Sequence, residues 1–196
     1  MKIIAGQWRG RALVAPPGDA TRPTANRVRE ALFSMLTSRI GSFEGLRVAD
    51  VFAGTGALGM EALSRGAAHV SFVETDAQAL EALKTNIARS KVEAATEVFA
   101  QPAALVGRAR SAFDLLLLDP PYGEGLAAAT LARLSEQGWI APHALISVET
   151  AAKEPLDIPG FAVEVTRRHG KAALHLLRRA QSTPSPEDDG AEQGIA

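Results

Sequence analysis

The chain has 196 residues, of which 46% are hydrophobic, a composition typical of one globular domain with a core of its own. It contains no cysteine, which excludes disulfides, zinc–thiolate sites and thiol nucleophiles, and its four histidines have no metal-ligand spacing. The net charge is −1, but residues 1–40 carry +5 and 161–180 carry +4, against −6 in 41–160 and −4 in 181–196. The two basic segments indicate either a polyanion bound at the edges of the molecule or two solvated faces.

The two ends of the chain differ in what they can bury. The start lacks the long apolar run of a signal peptide, and no stretch of about 18 apolar residues is available to cross a bilayer, so a cytoplasmic protein is expected. The end, "QSTPSPEDDGAEQGIA", is rich in proline, serine and acid. We therefore expect a single domain over 1–180 and a disordered acidic tail over 181–196.

The first 40 residues predict a ribbon followed by a helix. The stretch "IIAGQWRGRALVAP" alternates weakly before "PPG" breaks it, which indicates a short β-ribbon. In "TRPTANRVREALFSMLTSRIG", Thr24 is the expected N-cap of a helix and Gly41 its expected end. The apolar residues of this segment fall on one helical stripe: Val28, Ala31, Leu32, Met35 and Leu36.

From residue 46 the pattern alternates between strands and helices. Strands are predicted at 46–53, 69–74, 96–100, 113–119 and 144–150, and helices at 56–66, 76–90, 102–110 and 124–138. Asp76 is the expected cap of the helix at 76–90. Segments 161–169 and 171–179 indicate a hairpin that turns near Gly170. Continuous apolar strands between helices predict a Rossmann-like α/β fold, with a mostly parallel sheet, helices on both faces and an antiparallel C-terminal hairpin at one edge.

A glycine-rich turn lies between the first of these strands and the next helix. In "DVFAGTGALG", Gly54, Gly56 and Gly59 have the spacing G-x-G-x-x-G, which permits a tight turn and the close approach of a ligand to the backbone. Glu74 ends the next strand, where a carboxylate can accept hydrogen bonds from both hydroxyls of a ribose. These features indicate a nucleotide site, and taken alone they fit an NAD-dependent dehydrogenase equally well.

The stretch "FDLLLLDPPYGEG" separates these possibilities. Asp119 follows a buried strand, at the sheet edge where open α/β sheets bind ligands. Its carboxylate and the carbonyl of Pro120 would accept the two hydrogens of an exocyclic amine and aim the nitrogen lone pair at a methyl donor. Pro120 and Pro121 stiffen the loop, and Tyr122 offers a ring on which a single-stranded or flipped-out base stacks. The structural alternative is a Pro-Pro turn in which Asp119 caps the next helix and Tyr122 only packs.

Five stretches together resemble one enzyme family. They are "IIAGQWRGR", "RPTANRVREALFSML", "DVFAGTGALGMEALSRGA", "VETD" and "LLLLDPPY", in this order over about residues 1–180. The combination resembles the RsmD-type 16S ribosomal RNA guanine-N2 methyltransferases, which are class I methyltransferases with a DPPY motif. The resemblance implies a seven-stranded sheet, S-adenosyl-L-methionine as cofactor and methylation of the N2 amine of one guanine. It implies 16S rRNA in a partly assembled small subunit as partner, without metal or membrane, and we expect a monomer.

The resemblance also assigns roles to individual residues. The methionine part of the cofactor would be surrounded by Asp50, Phe52, Gly54, Gly56 and Gly59. Glu74 would bind the ribose, and the target base would be held by Asp119, Pro120, Pro121 and Tyr122. Such enzymes often place Asp or Asn after the third strand to bind the adenine amino group, but this chain has "FAQPAAL" there. Because Pro102 has neither a side-chain acceptor nor a backbone donor, Gln101 or a backbone group is the expected substitute.

The basic N-terminal extension, residues 1–40, is expected to face RNA. Trp8, Arg9 and Arg11 combine an aromatic ring with cations, which suits phosphates and base stacking, although a Trp8 buried under the ribbon fits the pattern as well. The resemblance places further residues near the pocket mouth or the RNA: Arg22, Thr24, Arg27 and Arg29. Arg27 and Arg29 lie off the apolar stripe and are expected to be free to contact phosphate. We expect this extension and the hairpin at 167–179 to flank one RNA-binding face.

Two other functions remain open. A DNA amino-methyltransferase acting on adenine N6 or cytosine N4 shares the DPPY chemistry, but such enzymes usually add a target-recognition domain, and no segment here is long enough for one. A non-catalytic nucleotide- or RNA-binding module is compatible with the same fold. An NAD-dependent dehydrogenase is disfavoured, because no residue pattern indicates an acid or base for hydride transfer.

Overall fold

The computed structural model describes residues 1–16, 23–122 and 125–180, which form a seven-stranded sheet with helices on both faces. The helices are α1 (Pro23–Ile40), α2 (Ala57–Ser64), α3 (Ala77–Ser90) and α4 (Leu126–Glu136). The strands are β1 (Arg47–Val51), β2 (His69–Glu74), β3 (Thr96–Ala100), β4 (Phe113–Leu118), β5 (Ile140–Ala151), β6 (Phe161–His169) and β7 (Ala172–Arg179). Short 3₁₀ turns span Glu93–Ala95 and Ala103–Leu105. No helix in these ranges is both long and apolar enough to span a bilayer.

The predicted strands and helices form in the predicted order, except for the helix predicted at 102–110. The side chain of Asp76 accepts a hydrogen bond from the Ala79 amide at 2.8 Å and caps α3 as predicted. The prediction that Thr24 caps α1 is wrong, because the helix already begins at Pro23. Proline suits the first helical position, since its φ is fixed and its missing N–H would have no partner there. Gly41 follows the last residue of α1 with a φ of +71°, as predicted.

The largest departure from the predicted elements lies in 102–110. The helix predicted there is wrong, because only the turn Ala103–Leu105 forms and Val106 is extended, with φ −58° and ψ 136°. Pro102 precedes the turn and Gly107 follows it, and both residues disfavour continuation of a helix. The side chain of Val106 is fully buried, so core packing holds the extended segment in place. The predicted disordered tail, 181–196, lies outside the described residues.

The strand order β3-β2-β1-β4-β5-β7-β6 places the ligand crevice. The pairs from β3 to β5 are parallel, and β7 lies antiparallel between β5 and β6, so the predicted hairpin forms one edge of the sheet. From β1 the chain adds strands first on one side and then on the other, which opens a crevice at the carboxyl ends of β1 and β4. Val51 pairs with Leu118 at this point, so Asp119 lies beside Phe52.

The sheet separates two apolar layers. Val48 and Leu117 point to one face and pack with α1, α2 and α3, whereas Ala49 and Leu116 point to the other face and pack with α4. This alternation follows from the two-residue period of a strand. Since each fully buried large apolar side chain contributes about 1.5–3 kcal/mol, these layers hold the strand ends in fixed positions around the crevice.

The N-terminal ribbon (residues 1–14) is hydrogen-bonded to side chains of α2. The carboxylate of Glu61, which is fully buried, accepts hydrogen bonds from the Ile4 amide at 2.7 Å and the Ala5 amide at 2.9 Å. The Trp8 amide donates to Ser64 Oγ at 3.0 Å, at the carboxyl end of α2. Gly6 packs so closely here that a Cβ would lie 1.8 Å from the Ser64 carbonyl oxygen. The tip of the ribbon therefore lies at the opposite end of α2 from the crevice, about 12 Å away along the helix.

Candidate active site

A cavity of about 730 Å³ lies at the carboxyl ends of β1 and β4. Its volume is within the range of about 300–1,000 Å³ found for small-molecule sites. The glycine turn contributes Phe52 and Gly54 to the wall, and the Asp-Pro-Pro-Tyr corner contributes Asp119 and Tyr122. The two motifs that the sequence singles out therefore line one cavity.

The glycine turn exposes backbone to this cavity. Gly54 has a φ of +55°, and a Cβ built on it would meet nothing within 4 Å, so a ligand can approach the main chain there. Phe52 also has a positive φ, +65°, which costs of the order of 1–3 kcal/mol for a residue with a side chain. The amides of Phe52 and Ala53 both donate to the Val73 carbonyl at 3.0 Å, and these bonds hold the strained turn against β2.

Gly56 and Gly59 serve packing rather than the cavity wall. A Cβ on Gly59 would lie 2.3 Å from the ring of Phe72, so only glycine lets α2 approach the sheet this closely. The Gly59 amide donates to Asp50 Oδ2 at 2.8 Å. The pKa of Asp50 is raised to about 8, chiefly by burial; the Gly59 hydrogen bond opposes the shift, and the charges of Asp119 and Glu74 add to it. Asp50 is thus a buried acid at the cavity wall that is largely protonated at neutral pH.

Glu74 is held by three backbone amides at the end of β2. Its Oε2 accepts a hydrogen bond from Gly54 at 2.6 Å, and its Oε1 accepts from Thr75 at 2.6 Å and Asp76 at 2.8 Å. These bonds fix the carboxylate beside the glycine turn. A carboxylate has about four lone-pair sites and three are used, so Oε2 can still accept a hydrogen bond from a ligand hydroxyl.

The Asp-Pro-Pro-Tyr corner presents an acid and a ring to the cavity. Asp119 is accessible from the cavity but enclosed by protein on its other sides; burial raises its pKa to about 7, and the charge of Glu149 adds to the shift. Pro120 is buried and Pro121 is exposed. Tyr122 is 50% exposed, and its hydroxyl donates to Glu149 Oε1 at 2.5 Å. Burial and the bond to Glu149 raise the pKa of the Tyr122 hydroxyl, which therefore stays protonated.

Sequence reasoning missed Glu149. This residue lies in β5 immediately after Val148, which pairs with Leu118, so Glu149 lies next to Asp119 and lines the cavity. Burial raises the pKa of Glu149, and the hydrogen bond from Tyr122 opposes the shift. The available signal was the carboxylate in "ALISVET", a strand whose other residues are all uncharged.

Arg29 corrects the expectation for α1. It was expected to be free to contact phosphate, but only 5% of it is exposed, and it lies in the cavity wall. Its Nη2 donates to the Lys2 carbonyl, while its Nε is buried without a hydrogen-bond partner among the described residues. Burial lowers the pKa of Arg29, and the acids Glu61 and Glu30 oppose the shift. The ribbon covers this side of α1, which a pattern within the helix does not reveal.

The remaining residues predicted to bind RNA lie away from the cavity or outside the described residues. Arg9, Arg11 and Arg27 are exposed. Trp8 is partly buried against the core, and Arg11 lies over its ring at 5.4 Å from the centroid. Arg22 and the side chain of Thr24 lie outside the described residues.

The turn between β6 and β7 also reaches the cavity. Its residues His169, Gly170 and Lys171 line the cavity mouth, while the ribbon tip lies at the far end of α2. Gln101 is partly buried after β3 and is not among the described residues that line the cavity. Within residues 1–16, 23–122 and 125–180, no group of three His, Asp or Glu side chains is arranged to hold a metal ion.

The sheet order and its antiparallel β7 define a class I methyltransferase fold, as predicted. A solved magnesium protoporphyrin IX methyltransferase (ChlM) from Synechocystis PCC 6803, with bound S-adenosylmethionine, shares this fold with a TM-score of 0.63. The match covers 83% of this chain and 87% of that chain at 15% identity. At that identity the likeness extends to the fold alone.

Closer matches define the family. The family model described as "Conserved hypothetical protein 95" matches residues 1–178, and the chain belongs to this family. The protein named ribosomal RNA small subunit methyltransferase D from Escherichia coli (strain K12) is 36% identical over 190 residues, covering 96% of this chain and 94% of that protein. The solved Escherichia coli protein yhhF matches with a TM-score of 0.80 and 35% identity, covering 91% of this chain and 97% of that one. The family predicted from the five sequence stretches is confirmed.

Proposed function

We propose that the protein transfers a methyl group from S-adenosyl-L-methionine to the exocyclic N2 amine of a guanine in 16S ribosomal RNA. One observation carries the proposal: the glycine turn and the Asp-Pro-Pro-Tyr corner line the same cavity, with Gly54 after β1 and Asp119 after β4. A donor and an acceptor bound at these two loops would therefore meet. The name of the Escherichia coli relative, ribosomal RNA small subunit methyltransferase D, supports rRNA as the substrate.

An acid and a cation in the cavity wall suit the two charged groups of the cofactor's methionine part. S-adenosyl-L-methionine supplies an electrophilic methyl group on a sulfonium centre. Asp50 offers a buried acid to its ammonium group, and Arg29, whose Nε is left without a partner among the described residues, offers a buried cation to its carboxylate. Glu74 would accept a hydrogen bond from the ribose through Oε2, and the bare backbone at Gly54 permits close approach. Gln101 remains the proposed substitute for the adenine contact.

Asp119 and Pro120 would act on the amine of the target base. The carboxylate of Asp119 and the carbonyl of Pro120 accept the two N2 hydrogens and direct the lone pair of the nitrogen away from the ring. The amine becomes cationic on methylation and must lose a proton. Because the pKa of Asp119 is raised to about 7, its carboxylate is basic enough to accept that proton at neutral pH. Pro121 stiffens the corner, and the half-exposed ring of Tyr122 stacks on the flipped-out base.

The RNA would reach the cavity through its basic mouth. Lys171 is exposed in the β6–β7 turn, and residues 161–180 carry a net charge of +4. Arg9, Arg11 and Arg27 would bind phosphates further from the target base and contribute affinity rather than base selection. We propose that the domain acts as a cytoplasmic monomer on 16S rRNA in a partly assembled small subunit.

Labelled methyl transfer tests this function. With S-adenosyl-L-methionine labelled in the methyl group, the purified protein should label 16S rRNA, and nuclease digestion should release N2-methylguanosine. DNA of the same sequence is the matched control and should stay unlabelled. Label in DNA as N6-methyladenine or N4-methylcytosine would replace the proposal with a DNA amino-methyltransferase. Binding of cofactor and rRNA without any transfer would support the non-catalytic module instead.

A further inference from the structure

We propose that Glu149 is the residue that selects guanine, by accepting a hydrogen bond from N1–H of the target base. This inference rests on the proposed function and adds a specificity-determining residue to it. Asp119 and Pro120 bind the exocyclic amine of guanine, but adenine and cytosine also carry an exocyclic amine. A second acceptor beside them is needed to tell these bases apart.

The position of Glu149 suits this role. It lies on the strand next to Asp119 and lines the same cavity. Among the described residues, neither acid forms an ion pair with lysine, arginine or histidine. Tyr122 engages Oε1 of Glu149, and a carboxylate has about four lone-pair sites, so acceptor capacity remains for a ligand. A half-buried acid without an ion pair is stabilised when a donor from the substrate reaches it.

The Watson–Crick edges of the bases give the selection. Guanine presents two neighbouring donors, the N2 amine and N1–H. Adenine presents an amine beside N1, and cytosine an amine beside N3, and in both cases the ring nitrogen is an acceptor. The carboxylates of Asp119 and Glu149 therefore complement guanine. Adenine and cytosine would instead place the lone pair of a ring nitrogen opposite the carboxylate of Glu149. A site built to bind a donor rejects analogues that lack it by up to about 10⁴–10⁵-fold, because its buried polar group is then left unpaired.

The simpler role for Glu149 is to hold Tyr122 in place. The two roles differ in what they predict for a base that keeps the N2 amine but lacks N1–H. 2-Aminopurine is such a base, since its N1 is an acceptor. Glu149→Gln replaces a carboxylate, which only accepts hydrogen bonds while it is ionised, with an amide that can also donate to that N1. Tyr122→Phe removes the hydrogen bond to Glu149 but keeps both the ring and the carboxylate.

The experiment compares kcat/KM on ligated 16S rRNA that carries either guanine or 2-aminopurine at the methylated position, once that position is mapped. The wild-type protein should prefer guanine by at least about 100-fold. Glu149→Gln should lower this ratio by at least about tenfold, whereas Glu149→Asp, which keeps an acceptor, should retain a preference for guanine. Tyr122→Phe should lower the rate on both substrates and leave the ratio unchanged. The matched control is Glu136→Gln, because Glu136 is exposed at the end of α4.

The outcomes separate this inference from the function on which it rests. If the wild-type protein makes N2-methylguanosine but Glu149→Gln keeps the wild-type ratio, the inference is overturned and the proposed function stands. The same holds if Tyr122→Phe changes the ratio as much as Glu149→Gln does. If the wild-type protein forms no N2-methylguanosine, the proposed function fails and the inference fails with it. Measuring the ratio on residual activity makes the result independent of how much of each variant folds.

Discussion

Two groups of carboxylates in this protein lie in opposite surroundings. Glu61 lies beneath the N-terminal ribbon, and both of its oxygens are used by the fold. The amides of Ile4 and Ala5 donate to them, and Arg65 Nε forms an ion pair with Oε1 at 2.9 Å. The fold itself neutralises this acid.

The cavity acids Asp50, Asp119 and Glu149 are not neutralised in this way. In the described ranges 1–16, 23–122 and 125–180, none of them forms an ion pair. Burial raises the pKa of all three. Burial alone therefore does not mark a functional acid. An acid that is paired with groups of the protein itself stabilises the fold, whereas acids left without an ion pair at a cavity are available to a ligand.

The largest expected effect is on stability, at Glu61. Glu61→Ala leaves two buried amides and the Arg65 guanidinium without their partner, and removal of one member of a buried pair costs about 3–5 kcal/mol. Urea denaturation should show this loss in the free energy of unfolding, and the folded fraction should retain its methyl transfer. The exposed Glu136→Ala should change the free energy by less than about 0.5 kcal/mol. Normal stability in Glu61→Ala would contradict the structural role.

Asp119 should show the reverse behaviour. Asp119→Ala removes an acceptor at the reacting amine and should lower kcat by about 10²–10³-fold. The free energy of unfolding should not fall, because the substitution removes an acid that burial disfavours. Isothermal titration should give nearly wild-type affinity for S-adenosyl-L-methionine. The control is the exposed Asp157→Ala, and full turnover by Asp119→Ala would show that the site is wrongly assigned.

Asp50 should link cofactor binding to pH. Its pKa of about 8 means that it is protonated in the free protein at pH 7, and a bound cationic ammonium would favour its ionised form. Binding should therefore release a proton at pH 7, and affinity should rise with pH from 6 and level off above 8. Titrations in phosphate and Tris, which differ in ionisation enthalpy, measure this release. Asp50→Asn should abolish it and weaken binding by about tenfold; proton uptake on binding would contradict the assignment.

The smallest effects are expected from substitutions of basic residues, where paired and exposed side chains differ in the same way as the acids do. Arg65 is paired within the fold, whereas Lys171 is exposed at the cavity mouth. Lys171→Glu should weaken rRNA binding severalfold and reduce the slope of log affinity against log salt by about one. Charge reversal at Arg9 and Arg11 should also weaken binding and flatten its salt dependence, without changing kcat at saturating RNA. Unchanged binding in both variants would remove these residues from the RNA interface.

Much of the fold was predictable because its signals are local. Apolar strands alternating with helices indicate a parallel sheet, and the carboxyl ends of parallel strands share one edge. That rule places Gly54 and Asp119 together although 65 positions separate them. Local chemistry also explains the cap at Asp76. The prediction failed at 102–110, where a buried Val106 holds the chain extended against a helical pattern.

The site residues that were missed or misplaced depend on contacts between distant parts of the chain. Arg29 lies off the apolar stripe of α1, and only the ribbon, through the Lys2 carbonyl, covers it. In the sequence, Glu149 is a single acid near the end of a strand. The pairing of β4 and β5 places it next to Asp119, where it accepts a hydrogen bond from the hydroxyl of Tyr122. No pattern within either segment carries this information.

The sequence by itself determined the order of the strands, the family, and the meeting of the glycine turn with the Asp-Pro-Pro-Tyr corner. These follow from periodicity, from motifs and from the shared edge of parallel strands. Only the tertiary structure decided which charges are buried and which are paired, as at Glu61, Arg29 and Glu149. The physical reason is that the free energy of a charged group depends on the atoms packed around it, and those atoms come from segments far away along the chain.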